Sequence, residues 1–254
     1  MLAGIDSAET LSPAMLDAAG VALHQPVRVV NVYLDAYAGG RPAIALAHEH
    51  GAAVTLTANS TTVALVRGDY AEALAYGHGQ AALARSLGAP AGVGVAVDIE
   101  AVDAPTPDWI AGVVYALLAE GYLPIIYCSL RAPASVNALL QAPVHYPAMH
   151  RATIWTATPC LQSGGRWDRG VPAWQADHLA GYAVVGWQFA ESVALTGGGG
   201  SVDLDLWDEA YTGLWRAPAA APPSDPAGPD VALARVAVAD VQAAAERAAA
   251  ALRP

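Results

Sequence analysis

Val93-Gly94-Val95-Ala96-Val97-Asp98-Ile99-Glu100 is a short β-branched run without charge, opened by glycine and closed by acids. Such a run reads as a strand buried on both faces, of the kind found in parallel sheets. Side chains alternate along a strand, so Asp98 and Glu100 point one way while Val97 and Ile99 point the other. Two carboxylates on one face at a strand's carboxyl end can divide an acid role and an anionic role between them. Capping of the next helix is a poorer account of the pair, because Asp103 and Asp108 lie closer to that helix.

Working outward, strand and helix signals alternate on both sides. Upstream, Ala3 to Asp6, Val27 to Leu34 and Ala53 to Thr57 read as strands. Between them stand a helix opened by Ser12-Pro13 and one over Arg41 to His50 that stops at Gly51. An alanine-rich helix from Asp69 to Leu87, stopped by Gly88, leads into the central strand. Downstream come a helix from Pro107 to Glu120, a strand from Pro124 to Cys128, a helix from Ala132 to Leu140 and a strand from Arg151 to Trp155. The remainder reads as a seventh strand near Ala173 to Ala176, an eighth over Val184 to Phe189, and a last helix from Leu206 to Leu214. Eight alternations predict a (β/α)8 TIM-type barrel over residues 1–216. An open doubly wound sheet fits less well, since Gly4-Ile5-Asp6-Ser7 is not a phosphate-binding glycine turn. The barrel places Asp6, Asp35, Asn59, Asp98, Glu100, Tyr127, Trp155 and Gln188 at the carboxyl ends of strands, the face that carries chemistry in such folds.

Composition narrows the partners. The chain has 254 residues, a net charge of -11, and arginine at all 12 of its basic positions. Without lysine there is no Schiff-base or P-loop lysine, and a strongly acidic chain lacks the basic face that nucleic acid requires. The 55% hydrophobic content is inflated by alanine, and no apolar run reaches the ~18 residues of a membrane span. The first residues show neither the basic nor the long apolar region of a signal peptide, so the reading is cytoplasmic, or virion- or envelope-associated if another route exports the chain. Cys128 and Cys160 read as free thiols, and His48-Glu49-His50 lacks the i, i+4 spacing of two zinc ligands on a helix. No metal and no cofactor is called for.

Residues 217–230 turn to proline and alanine and read as an extended linker. Limited proteolysis is expected to cut there and leave a folded fragment ending near residue 215; a native chain resistant at 217–230 would refute the linker. In residues 231–254, Val231, Ala234, Val238, Val241, Ala245, Ala248 and Leu252 mark one side of an alanine-rich helix. It reads either as a helix that docks back on the barrel or as an attachment and assembly helix.

The ordered set Gly4-Ile5-Asp6, Val97-Asp98-Ile99-Glu100, Ile154-Trp155-Thr156-Ala157, Gly186-Trp187-Gln188-Phe189 and Val202-Asp203-Leu204-Asp205 resembles the family-25 lysozymes, or muramidases. It resembles still more the glycoside-hydrolase-like barrel of actinobacterial and actinobacteriophage proteins. The resemblance covers residues 3 to about 215. It implies a bacterial cell-wall glycan, peptidoglycan, as substrate, cut at its N-acetylmuramic acid linkage. By position in the family, Glu100 would be the general acid and Asp98 the charge-stabilising partner, with Asp6 and Asp203 lining the same cleft. A glutamate among like charges and aromatics has its acidity weakened and can hold a proton to donate. Tyr127, Trp155 and Trp187 would be platforms for sugar rings, with Gln188 and Asp35 beside them. The chain departs from the family pattern at Ser7-Ala8-Glu9-Thr10 and at Thr57-Ala58-Asn59-Ser60, where part of the usual sugar subsite is missing. The alternative reading is therefore a non-catalytic module, a tail or envelope component, that keeps the barrel and binds glycan without cutting it.

Overall fold

A computed structural model describes residues 1–7, 9–34, 40–59, 61, 63–99, 105–196 and 200–218, with backbone alone at 63–64 and 159–163. Glu100, Asp35, the side chain of Cys160 and the segments 219–230 and 231–254 lie outside the described residues. Met1–Ala217 forms one compact unit.

Eight strands close into a barrel in chain order: β1 (Leu2–Asp6), β2 (Val29–Tyr33), β3 (Ala53–Ala58), β4 (Gly94–Asp98), β5 (Leu123–Cys128), β6 (Thr153–Ser163), β7 (Ala183–Ala194) and β8 (Ser201–Trp207). Strands β1 to β7 pair in parallel, while β8 runs antiparallel to both β7 and β1. The predicted α/β barrel is the observed fold.

Local signals set the helices. In α1 (Pro13–Leu23) the Ser12 hydroxyl accepts from the Met15 N–H at 3.2 Å, and His24 ends the helix in the left-handed region. After α2 (Gly40–Glu49) and the single turn α3 (Val63–Val66), Asp69 and Glu72 form a reciprocal capping box at the start of α4 (Tyr70–Ser86). The cap of α5 (Pro107–Ala119) is Thr106, neither Asp103 nor Asp108. Its hydroxyl accepts from the Trp109 N–H at 3.0 Å and donates to the Gly68 carbonyl at 3.1 Å. Thr106→Ala removes both bonds and is expected to cost about 1 kcal/mol, read as a lower urea midpoint; an unchanged midpoint would show that the cap is dispensable. Helix α6 (Pro133–His145) runs past the predicted end at Leu140 and carries Pro143 within it.

Three sequence expectations fail, the first being order: Val184–Phe189, expected as the eighth strand, lies in β7, and the eighth strand is Ser201–Trp207. Ala173–Ala176 is not a strand but part of an irregular connection, because β6 pairs directly with β7 and leaves no ladder position for it. Trp174 there packs edge-on against Trp187, with ring centroids 6.1 Å apart. Nor is Leu206–Leu214 a helix: Leu206 and Trp207 continue β8 against Ala3 and Leu2. The Asp208 carboxylate then accepts from the Ala210 N–H at 3.0 Å, a local turn that competes with helix formation.

Strand residues sort by parity. Ala3, Ile5, Val30, Val32, Val95 and Val97 face outward into the cluster shared with the helices. Val29, Ala53, Ala96, Ile125, Trp155 and Trp207 face the bore, whose base is filled by Tyr211 and Leu214. The bore is a packed core rather than a channel.

Candidate active site

The same parity sends polar residues inward at the carboxyl ends of the parallel strands. Asp6 ends β1, Tyr33 ends β2 and Asp98 ends β4. Because β8 is antiparallel, its amino-terminal half reaches the same mouth, and the register sets Asp203 directly opposite Asp6. Asp6, Tyr33 and Asp203, with Ser7 and Ser192, wall a cleft of ≈ 280 Å³.

Tyr33 is the centre of this group. Its hydroxyl donates to Asp6 Oδ1 at 2.9 Å. Burial, then the charge and hydrogen bond of Asp6, then the charges of Asp203 and Asp98, raise its pKa far above the usual phenol range. Tyr33 therefore stays a neutral donor among three carboxyl groups. The Asp98 carbonyl accepts from the Thr61 hydroxyl at 2.5 Å, which ties the end of β4 to the loop after β3.

Asp203 is oriented from below. Gln188 Nε2 donates to Asp203 Oδ2 at 2.8 Å, and the Gln188 amide is itself turned by the Tyr127 hydroxyl, which donates to Oε1 at 3.0 Å. The Ser192 N–H donates to Asp203 Oδ1 at 2.6 Å from a left-handed backbone, φ 52°. Positive φ at a non-glycine residue is costly, and here it aims an amide at a carboxylate. Burial pushes the Asp203 carboxyl above its ordinary range and Glu191 adds to the rise, while the Ser192 and Gln188 bonds act against it. Deeper in the bore, Trp155 Nε1 donates to Asp205 Oδ1 at 3.2 Å.

The sequence-based site is thus partly brought together. Asp6, Asp98 and Asp203 converge on the mouth. Tyr127 and Gln188 lie beneath it, 8% and 1% exposed, as props for Asp203. Trp155 is 1% exposed and stacks obliquely on Tyr127, centroids 4.3 Å apart. Trp187 faces the outer cluster, fully buried against Phe189, with its indole N–H on the Thr158 carbonyl at 3.2 Å. The expectation of sugar platforms at Tyr127, Trp155 and Trp187 is corrected on that ground, since none of these rings offers an open face. Glu100 and Asp35 lie outside the described residues. Sequence reasoning missed Tyr33 and Asp205. Their signal is the alternation of Asn31 and Tyr33 in β2 and of Asp203 and Asp205 in β8, polar groups on the inward parity of apolar strands.

Solved structures share this barrel. An uncharacterized B. stearothermophilus protein matches with a TM-score of 0.75 and 22% identity, over 85% of this chain and 100% of that one. A Tat-secreted protein of Mycobacterium tuberculosis, solved in complex with HEPES, matches at 0.56 and 12%, over 84% and 98%. The modular autolysin LytC of Streptococcus pneumoniae, solved with a synthetic peptidoglycan ligand, matches at 0.54 and 15%, over 82% of this chain and 46% of that one. At these identities the likeness is one of fold. No protein-family model and no curated protein matches the sequence.

Proposed function

We infer that the chain is a lysozyme-like glycoside hydrolase that cuts bacterial peptidoglycan at its N-acetylmuramic acid linkage, in the service of a phage particle or an actinobacterial envelope. The observation that carries this reading is the convergence of Asp6, Asp98 and Asp203 around the neutral donor Tyr33 at one mouth of the barrel. The barrel shared with an autolysin solved on a peptidoglycan ligand supports it.

In this scheme Glu100, two residues beyond Asp98 in the sequence, protonates the glycosidic oxygen as it leaves. Asp98 supplies the negative charge that an oxocarbenium-like transition state needs. Asp6 and Asp203, each held by fixed donors, keep the carboxyl groups at the mouth oriented, so little reorganisation accompanies the developing charge.

The burial of Trp155 and Trp187 favours a second reading, a barrel that binds wall glycan weakly and does not cut it. Digestion of labelled cell walls with reducing-end analysis separates the two. Release of reducing ends supports the hydrolase; co-sedimentation with walls and no release supports the binding module.

A further inference from the structure

One buried carboxyl takes no part in the proposed chemistry. Asp205 is fully buried, and while Oδ1 accepts from Trp155, no N–H or O–H donor of the described residues reaches Oδ2. Across the ladder from Asp205 stands Gly4. Glycine has no side chain, so nothing on β1 stands between Asp205 and its diagonal neighbour Asp6. Two carboxyl groups buried side by side do not both ionise, and a proton kept on one of them can be donated to the other. Asp6 is the poorer carrier of that proton. It already accepts from Tyr33 and borders the open cleft, whereas Asp205 lies deeper in the bore, fully buried and held by Trp155.

The geometry points to Asp205 as a carboxylic acid protonated at neutral pH whose O–H donates to Asp6, making it a positioning residue that holds Asp6 as an oriented anionic acceptor. The groups that face it agree. Burial acts first, then the charges of Asp6 on β1 and Asp203 on its own strand, and all three weaken its acidity; the Trp155 N–H from β6 opposes them and is outweighed. From β7 it meets Gln188, which is neutral. Asp6 is then clamped between two donors, Tyr33 on one side and Asp205 on the other. The inference rests on the hydrolase reading only for what the clamped charge is used for, and it can be tested without substrate.

Asp205→Asn carries the test. Asparagine keeps the shape, its Nδ2 can donate to Asp6, and its Oδ1 can accept from Trp155. In the unfolded chain Asp205 ionises near pH ~3.9, while in the folded chain it stays protonated well above that. The unfolded state therefore gives up this proton first, and wild-type stability falls as pH rises from about 4. The variant has no such loss. Its melting temperature relative to wild type should rise steadily from pH 4 to pH 8, by several degrees in all. The wild type should also show, at pH 7, the infrared carbonyl band of a protonated carboxylic acid, lost in Asp205→Asn. A melting difference that is flat or narrows with rising pH, or a wild type without the carboxylic acid band, overturns the proposal. On cell walls, Asp205→Asn should retain cleavage with its alkaline limb extended, whereas a wild type that shows the band and the melting trend but no cleavage would count against the hydrolase reading alone.

Discussion

Replacing Glu100 by glutamine is expected to lower reducing-end release from purified cell walls by about 100-fold to 10,000-fold, while the fold and retention on the walls stay nearly unchanged. Glutamine matches glutamate in shape and lacks only the proton that the leaving oxygen must receive. Asp98→Asn should also slow release strongly, since an amide cannot supply the charge that the transition state requires. Asp98 is one of three carboxylates whose field reaches Tyr33, so its loss should be felt across the mouth as well as locally. Alternate strand residues stand about 6.6 Å apart at Cα, a separation that suits either stereochemical outcome once side chains are added. The resemblance to family-25 lysozymes implies retention. A Glu100→Gln chain that releases reducing ends as fast as wild type would sink the assignment of the acid, and circular dichroism identical to wild type would keep misfolding from being mistaken for lost chemistry.

Gly186→Ala is expected to destabilise the barrel by about 1–3 kcal/mol. A Cβ at this position would lie 2.7 Å from Trp155 Cδ1 and 3.1 Å from Trp207 Cζ3. Neither ring has room to withdraw. Trp155 is pinned by its bond to Asp205 and by Tyr127, and Trp207 already fills the space beside Gly4, where a Cβ would lie 2.8 Å from its Cδ1. The two indoles, centroids 5.1 Å apart, occupy the bore because glycines on β1 and β7 let them approach the backbone. A lower urea midpoint with an unchanged slope is the expected measurement. A midpoint equal to wild type would mean that the bore repacks freely, against the close packing described above.

Most strands were legible because each of the first six is a short apolar run between helices with strong ends: Ser12-Pro13, the Asp69 and Glu72 box, and the positive-φ glycines at 88 and 121. The last quarter departs from that pattern. A repeat of eight strand–helix units calls for a parallel seventh strand and a closing helix, and by composition alone Ala173–Ala176 and Leu206–Leu214 fit those places. Pairing partner and direction are tertiary facts. Nothing within Val202–Asp205 says that it will run against its neighbours, nor that Leu206, Trp207 and Leu214 are apolar because they close the base of a bore. In the site, residue type and strand parity were enough to select Asp6, Asp98 and Asp203. Depth along the strand was not readable, and depth is what makes Trp155 and Gln188 supports for carboxylates rather than surfaces for sugars.

The reversed β8 also governs when the protein can become itself. Its hydrogen bonds to β1 join Leu2 to Trp207, nearly the full length of the barrel, while those to β7 join segments only a short hairpin apart. A chain that ends before Ser201 can form at most an open sheet with two bare edges, because β8 is what joins β7 to β1. The mouth, with Asp6 from the first strand and Asp203 from the last, is assembled in the same closing event. Loop closure of this length is slow, so barrel formation and site formation should share a single late kinetic step.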